Sequence, residues 1–156
     1  KFRLIRDIGI SQKTYEKIMK NMFDEKKFKP EKYFKELFIN SSQLKKIHKL
    51  GHKIGLHSHS HPTSIAEMSY KKQEYEYKKN IKIVKNLLNL KTIKYMSHPN
   101  GSYNKDTLKI LKNLDVEFGF KQNMFVEKEK SMKKINNSYL EVAREDHSNI
   151  LNKIYG

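Results

Sequence analysis

The sequence predicts an α/β fold in which short strands alternate with helices around a mostly parallel sheet. Three observations carry that expectation. The segments "HKIGLHS" from 52, "TIKYMS" from 92 and "VEFGF" from 116 read as strands; helical periodicity fills the stretches between them; and the loops after the first two are dense in His, Ser, Pro, Gly and Asn. Strands separated by helices of ten or more residues pair in parallel through crossover connections, and ligand sites in such sheets lie at the carboxyl ends of the strands.

In chain order, "FRLIRD" at 2–7 reads as a first strand, and Ser11 caps a helix carrying Tyr15, Ile18, Met19 and Met22 at helical spacing. "FKPEKYFKELF" gives a second, short helix with Pro30 in its first turn. Ser41 or Ser42 caps a third, in which Leu44, Ile47 and Leu50 form one face and Gly51 supplies the stop. Ile54 and Leu56 then alternate in a short buried strand that delivers His57 into a loop. The stretch from Ser64 to Leu90 reads as a long amphipathic helix with Tyr77, Ile81, Val84 and Leu88 on one stripe, and Asn104 caps a helix over 105–114. "YLEVA" at 139–143 is a last short strand, while the Lys-, Asn- and Glu-rich tail at 121–138 reads as a loop or peripheral excursion.

With 156 residues, 37% of them hydrophobic, the chain is long enough for one domain with a core. Its densest apolar patch, "IKIVKNLL" at 81–88, is interrupted by lysines and is far short of a membrane span. The chain opens on Lys1 rather than Met, so a missing N-terminal segment is expected and the compartment stays undecided. The absence of cysteine excludes disulfides, thiolate ligands and a cysteine nucleophile, leaving His, Asp, Glu and hydroxyls for any chemistry. A formal charge of +16 is compatible with an anionic partner. Because the lysines are spread along the whole length instead of clustering in an arm or stripe, a nucleic-acid-binding role stands only as a second alternative.

The most informative stretch is "GHKIGLHSHSHPTS" at 51–64, with His57, His59 and His61 within five positions. Two histidines four apart can share a divalent ion across a tight loop, and His57 and His61 have that separation; His59, lying between them, points elsewhere in an extended or turning segment. Spacing alone leaves two readings open, a metal site and a solvated polar loop. The hydroxyls of Ser58 and Ser60 can hydrogen-bond locally, and Pro62 fixes the exit of the loop. His48, His52 and His98 have no neighbour to pair with and read as structural or solvated.

In its strand context, "HKIGLHSHSHP" resembles the second motif of the polysaccharide deacetylase family, carbohydrate esterase family 4, in which a His, a Ser or Thr, two further residues, a His and often a Pro follow a strand. By that resemblance His57 and His61 are the metal-binding histidines and Ser58 fills the Ser/Thr slot. Downstream, "YMSHPNGSYNKDTLKILKNL" resembles the third family motif, an Arg-x-Pro-Tyr-Gly-like segment walling the active-site groove, with Pro99, Gly101, Tyr103 and Asn104 in place. Ser97 stands at the usual arginine position and Asn100 at the usual aromatic one, so the resemblance leaves Asn100 only a backbone N–H for an oxyanion, and Pro99 and Tyr103 for substrate contact. After "YLEVA", Arg144, Asp146 and His147 occupy the place of the family's late elements, and His147 is the candidate general acid.

The likeness spans roughly residues 40–120 and implies a distorted, incomplete (β/α) barrel of the polysaccharide deacetylase type, as one domain over 1–156. The activity it implies is metal-dependent removal of an N-acetyl, less often an O-acetyl, group from a sugar or polysaccharide, with zinc the default ion and cobalt or nickel open. An acetylated sugar is then the partner, and no nucleic acid. The family's first motif, an Asp-Asp pair on the first strand supplying the general base and a third metal ligand, has no match here; Asp7 stands alone. A catalytically inactive glycan- or metal-binding homologue is therefore the first alternative.

Overall fold

The computed structural model describes residue 5 and residues 9–122, 139–144 and 147–155. The strand expected at 2–7 lies outside these apart from Ile5, as do Asp7, Asp146 and most of the tail expected at 121–138. Two compact units divide the chain, residues 1–52 and 53–156.

In the first unit, α1 (Gln12–Glu25) starts where the sequence placed it, with the Ser11 hydroxyl accepting from Thr14 N at 3.1 Å. Pro30–Tyr33 forms a 3-10 turn that runs into the short α2 (Phe34–Leu37). Phe28 lies 5.3 Å, ring to ring, from both Phe23 and Tyr33. The cap of α3 (Ser41–Lys49) is Asn40, not Ser41 or Ser42. Asn40 Oδ1 accepts from Gln43 N at 2.9 Å while Gln43 Oε1 accepts from Asn40 N at 2.8 Å, so one residue pair satisfies two donors that a serine one position later could not reach. Gly51, at φ +94, ends the helix as expected, with its N–H on His48 O and that of His52 on Ile47 O.

The second unit holds α4 (Tyr70–Leu88), β1 (Tyr95–Ser97), α5 (Lys105–Asn113), β2 (Phe118–Phe120), β3 (Tyr139–Val142) and α6 (His147–Tyr155). The strands form one parallel sheet in the order β1-β2-β3. Tyr95, Phe118 and Tyr139 are register partners, and their rings stack at 5.7 and 5.6 Å. Gly119 is required by its closeness to β3: a Cβ there would come within 2.5 Å of Leu140 O. Met96 and Leu140 are fully buried with Tyr77 of α4 and Ile110 and Leu111 of α5. Each such side chain contributes about 1.5–3 kcal/mol relative to leaving it exposed, which is why the helical stripes read from sequence became the core.

Three local expectations shift. The strand expected at 52–58 contracts to one parallel bridge, Leu56 to Met96, with Leu56 N on Tyr95 O at 2.8 Å and Ser97 N on Leu56 O at 2.9 Å. The ladder stops there because Ser58, whose amide would pair next with Ser97 O, turns to φ +64, and Ser97 O instead lies 2.7 Å from His57 Nδ1. The long helix starts at Tyr70 rather than Ser64, since Ala66 N donates to Ser102 Oγ at 3.0 Å and Ala66 O accepts from Asn104 Nδ2 at 2.8 Å. Finally, α6 was not expected from the sequence.

Candidate active site

The loops leaving Leu56 and β1 come together through side-chain hydrogen bonds. Asn100 Nδ2 donates to Thr63 O at 3.3 Å, the hydroxyls of Ser64 and Ser102 lie 3.2 Å apart, and Thr107 of α5 donates to Gln73 of α4 at 2.6 Å. The first two bonds tie the loops to each other, and the third ties the helices that follow them. An open hollow of about 480 Å³ borders His57 and Ser97, floored by Leu56, Met96 and Phe120.

His57 and His61 are exposed, with ring centroids 4.9 Å apart and planes tilted by 53°. Two imidazoles on one tetrahedral ion, at metal–nitrogen distances of about 2.0–2.1 Å, place their centroids about 5 Å apart. His57 Nδ1 lies 2.7 Å from Ser97 O. A carbonyl only accepts, so Nδ1 carries the proton and Nε2 keeps a free lone pair, the arrangement typical of a metal-binding imidazole. His61 takes φ +52, and its N–H donates to the buried Ser58 Oγ at 3.1 Å, so the Ser58 hydroxyl makes a local bond. Among the described residues no hydrogen bond or ring contact links the His59 ring to this pair; its backbone amide is what the loop uses. The two imidazoles therefore fit a divalent ion as a ligand pair, and among the described residues no group of three or more His, Asp and Glu side chains gathers to complete one.

Sequence reasoning missed the residue that holds this loop. Glu76, 5% exposed, accepts from His59 N at 2.9 Å, from Ser60 N at 2.7 Å and from Ser60 Oγ at 2.8 Å. Four residues on, Asn80 holds His57 N. The signal was present as a carboxylate next to Tyr77 on the core-facing stripe of a lysine-rich helix, and residues four apart lie on one helix face.

On the second loop, Asn100 sits at φ +51 in the turn Pro99–Gly101, whose closing hydrogen bonds come from Gly101 N and Ser102 N, leaving the Asn100 N–H outside the turn's own bonding. Pro99 requires correction as a substrate contact: with under 2% exposure it has no surface to offer and instead backs the loop. Tyr103 is half-buried, its ring stacked on His98 at 4.2 Å and its hydroxyl bonded to the Glu141 carboxylate; burial first, then that bond, push its pKa well above the usual phenol value. His98 is structural, as expected: 1% exposed, with Nε2 2.8 Å from Leu140 O, and burial lowers its pKa from the ordinary 6.5. His147 stands exposed at the first residue of α6, and among the described residues no hydrogen bond or ring contact links it to His57 or His61. Arg144 Nε donates to Lys121 O at 2.7 Å.

A parallel α/β sheet with its polar loops gathered at the strand ends defines the class, an α/β protein with its candidate site at the carboxyl ends of the strands. The family model described as polysaccharide deacetylase matches residues 7–119, and the chain belongs to that family. Among solved structures the fold is similar to the Streptococcus pyogenes deacetylase PplD in complex with acetate, at 23% identity and a TM-score of 0.59, covering 76% of this chain and 51% of that one. It is likewise similar to IcaB from Ammonifex degensii, at 18% identity and a TM-score of 0.57 with 75% and 52% covered. The BpsB deacetylase domain from Bordetella bronchiseptica matches at 14% identity and a TM-score of 0.55, with 69% and 48% covered. The chain thus spans about half the length of these structures. No curated protein sequence matches it. Among the described residues, no helix is long and apolar enough to cross a membrane.

Proposed function

We propose that this chain carries the metal-binding histidines of a deacetylase that hydrolyses N-acetyl, less often O-acetyl, groups on a sugar or polysaccharide. The observation that carries the reading is the His57–His61 ring pair, with His57 Nδ1 committed to Ser97 O so that Nε2 faces outward as a ligand. A bound divalent ion, zinc by default for imidazole ligands, supplies Lewis-acid polarisation of the acyl carbonyl and a water of lowered pKa. The Asn100 N–H donates to the oxyanion that develops on the acyl oxygen. His147 gives a proton to the departing amine, and Tyr103 offers the exposed part of its ring to the sugar. The base that takes the water's proton is assigned to no residue of this chain.

Zinc content tests the site. Elemental analysis of the dialysed chain is expected to return one zinc per molecule, and His57→Ala with His61→Ala to return none; unchanged metal content in the double variant rejects the ligand pair. A second reading, a homologue that binds glycan or metal without turnover, is favoured by the lack of a third ligand beside the pair among the described residues. That second reading expects zinc uptake without acetate release from an N-acetylated glycan, and acetate release rejects it.

A further inference from the structure

We infer that Glu76 is a positioning residue for the two imidazoles: its buried carboxylate fixes the turn between His57 and His61, so that a divalent ion meets a loop already in its binding conformation. The inference rests on the metal reading above and deepens it. Glu76 is 5% exposed, and its partners all belong to two of the three residues that separate the candidate ligands, the amides of His59 and Ser60 and the Ser60 hydroxyl. Consecutive N–H groups converging on one carboxylate oxygen make a concave donor cradle, here filled from below by the helix side chain. Charge-assisted bonds of this kind are roughly twice as strong as neutral ones.

The backbone explains why such a clamp is needed. Ser58 and His61 both hold left-handed conformations, φ +64 and +52, which L-residues other than glycine adopt at a cost of about 1–2 kcal/mol each. A free loop would relax out of them and carry His61 away from His57. Ser58 Oγ holds one end of the turn through His61 N, Asn80 holds His57 N, and Glu76 holds the middle. Glu76 and Asn80 are one helical turn apart on α4, and between them lies Tyr77, fully buried, so the clamp is seated on a rigid part of the core. The Glu76 side chain meets main-chain groups and a hydroxyl of the loop, never the ligand rings, so it acts through the loop and not on the ion.

The experiment compares four substitutions in the full chain. Glu76→Ala removes all three acceptor contacts. Glu76→Met fills the volume without accepting. Glu76→Gln keeps one oxygen for the two amides, while its NH2 donates to Ser60 Oγ in place of the third bond. Ser60→Ala, at an exposed position, removes only the hydroxyl and keeps the fold testable should the Glu76 variants fail to fold. Zinc affinity by titration calorimetry is expected to fall about 10- to 100-fold in Glu76→Ala and Glu76→Met, as for partners that orient metal ligands, to recover to within about threefold in Glu76→Gln, and to fall by about threefold in Ser60→Ala. Hydrogen exchange in the metal-free chain supplies the second readout. The His59 and Ser60 amides are expected to be protected in the wild type and to exchange at least about tenfold faster in Glu76→Met, with the α4 amides unchanged.

Glu76→Met binding zinc as well as the wild type, Ser60→Ala doing so alongside unfolded Glu76 variants, or unprotected His59 and Ser60 amides in the wild type each overturn the inference. A wild-type chain that takes up no zinc rejects the metal reading instead, and amide exchange then decides by itself whether Glu76 holds the turn.

Discussion

His57 and His98 each follow a strand segment directly, and each commits one ring nitrogen to a main-chain carbonyl, Ser97 O for His57 and Leu140 O for His98. The outcome is opposite. His57 commits Nδ1, stays exposed, and keeps Nε2 open beside His61; His98 commits Nε2, is buried under Tyr103, and leaves its Nδ1 enclosed without a hydrogen-bond partner. What separates a candidate ligand from a structural histidine in this fold is therefore which nitrogen the neighbouring strand captures. Proximity to a strand end, which the two share, does not separate them.

The comparison can be broken first at Gly119. Gly119→Ala pushes a methyl group against Leu140 O, the carbonyl that holds His98. The expected loss is about 2–4 kcal/mol in urea unfolding, combining strain in β2 and β3 with an unsatisfied buried imidazole. A change under about 0.5 kcal/mol means that the close approach relaxes freely. The His57 side of the comparison, held by Ser97 O, should be untouched, with zinc affinity unchanged in whatever fraction remains folded.

A smaller effect comes from pH. Burial lowers the folded-state pKa of His98 below the ordinary 6.5, so as pH falls the unfolded chain takes up the proton first. Its contribution to stability is complete above about pH 7 and is lost as pH drops through 6.5 toward the folded value, with a slope of at most about 1.4 kcal/mol per pH unit. Urea midpoints measured at pH 7.5 and 5.5 should diverge in the wild type and converge in His98→Gln. Equal divergence in the two proteins would assign the slope to other groups.

The smallest expected effect is at Asn100, at φ +51. Asn100→Gly should leave stability within about 0.5 kcal/mol, whereas Asn100→Ala should cost about 1 kcal/mol, because asparagine and glycine tolerate the left-handed region and alanine does not. Equal melting of the two variants would show that the turn is not held there.

Legibility from the sequence followed the range of the interaction. Caps and stops such as Ser11, Asn104 and Gly51, and the stripe of Tyr77, Val84 and Leu88, depend on neighbours within one or two helical turns and could be read directly. The cap of α3, expected at Ser41 or Ser42, was misplaced by one or two residues because serine and asparagine compete on nearly equal terms, and Gln43 decides between them. The strand through Leu56 was overlong because its ladder ends where Ser58 turns to φ +64 and the His57 ring takes Ser97 O, a contact between residues far apart in the chain. In the same way, the spacing of His57 and His61 was visible, but the tautomer-setting contact reaches across 40 residues to Ser97, and the Glu76 clamp crosses 16 to Ser60. Pro99 illustrates the converse: a motif position suggested contact with a ligand, and only three-dimensional packing reveals that it faces inward.

The stacked Tyr95–Phe118–Tyr139 row also bears on how the molecule comes to be folded. Parallel partners never meet through a tight hairpin, and each step of this row closes a loop of roughly twenty residues before any ring contact rewards it. The helices can flicker into place within about a microsecond, but the sheet must wait for those closures, so its assembly sets the pace. The row of rings, once stacked, then adds about 0.5–1.5 kcal/mol per pair to the alignment and helps to hold it.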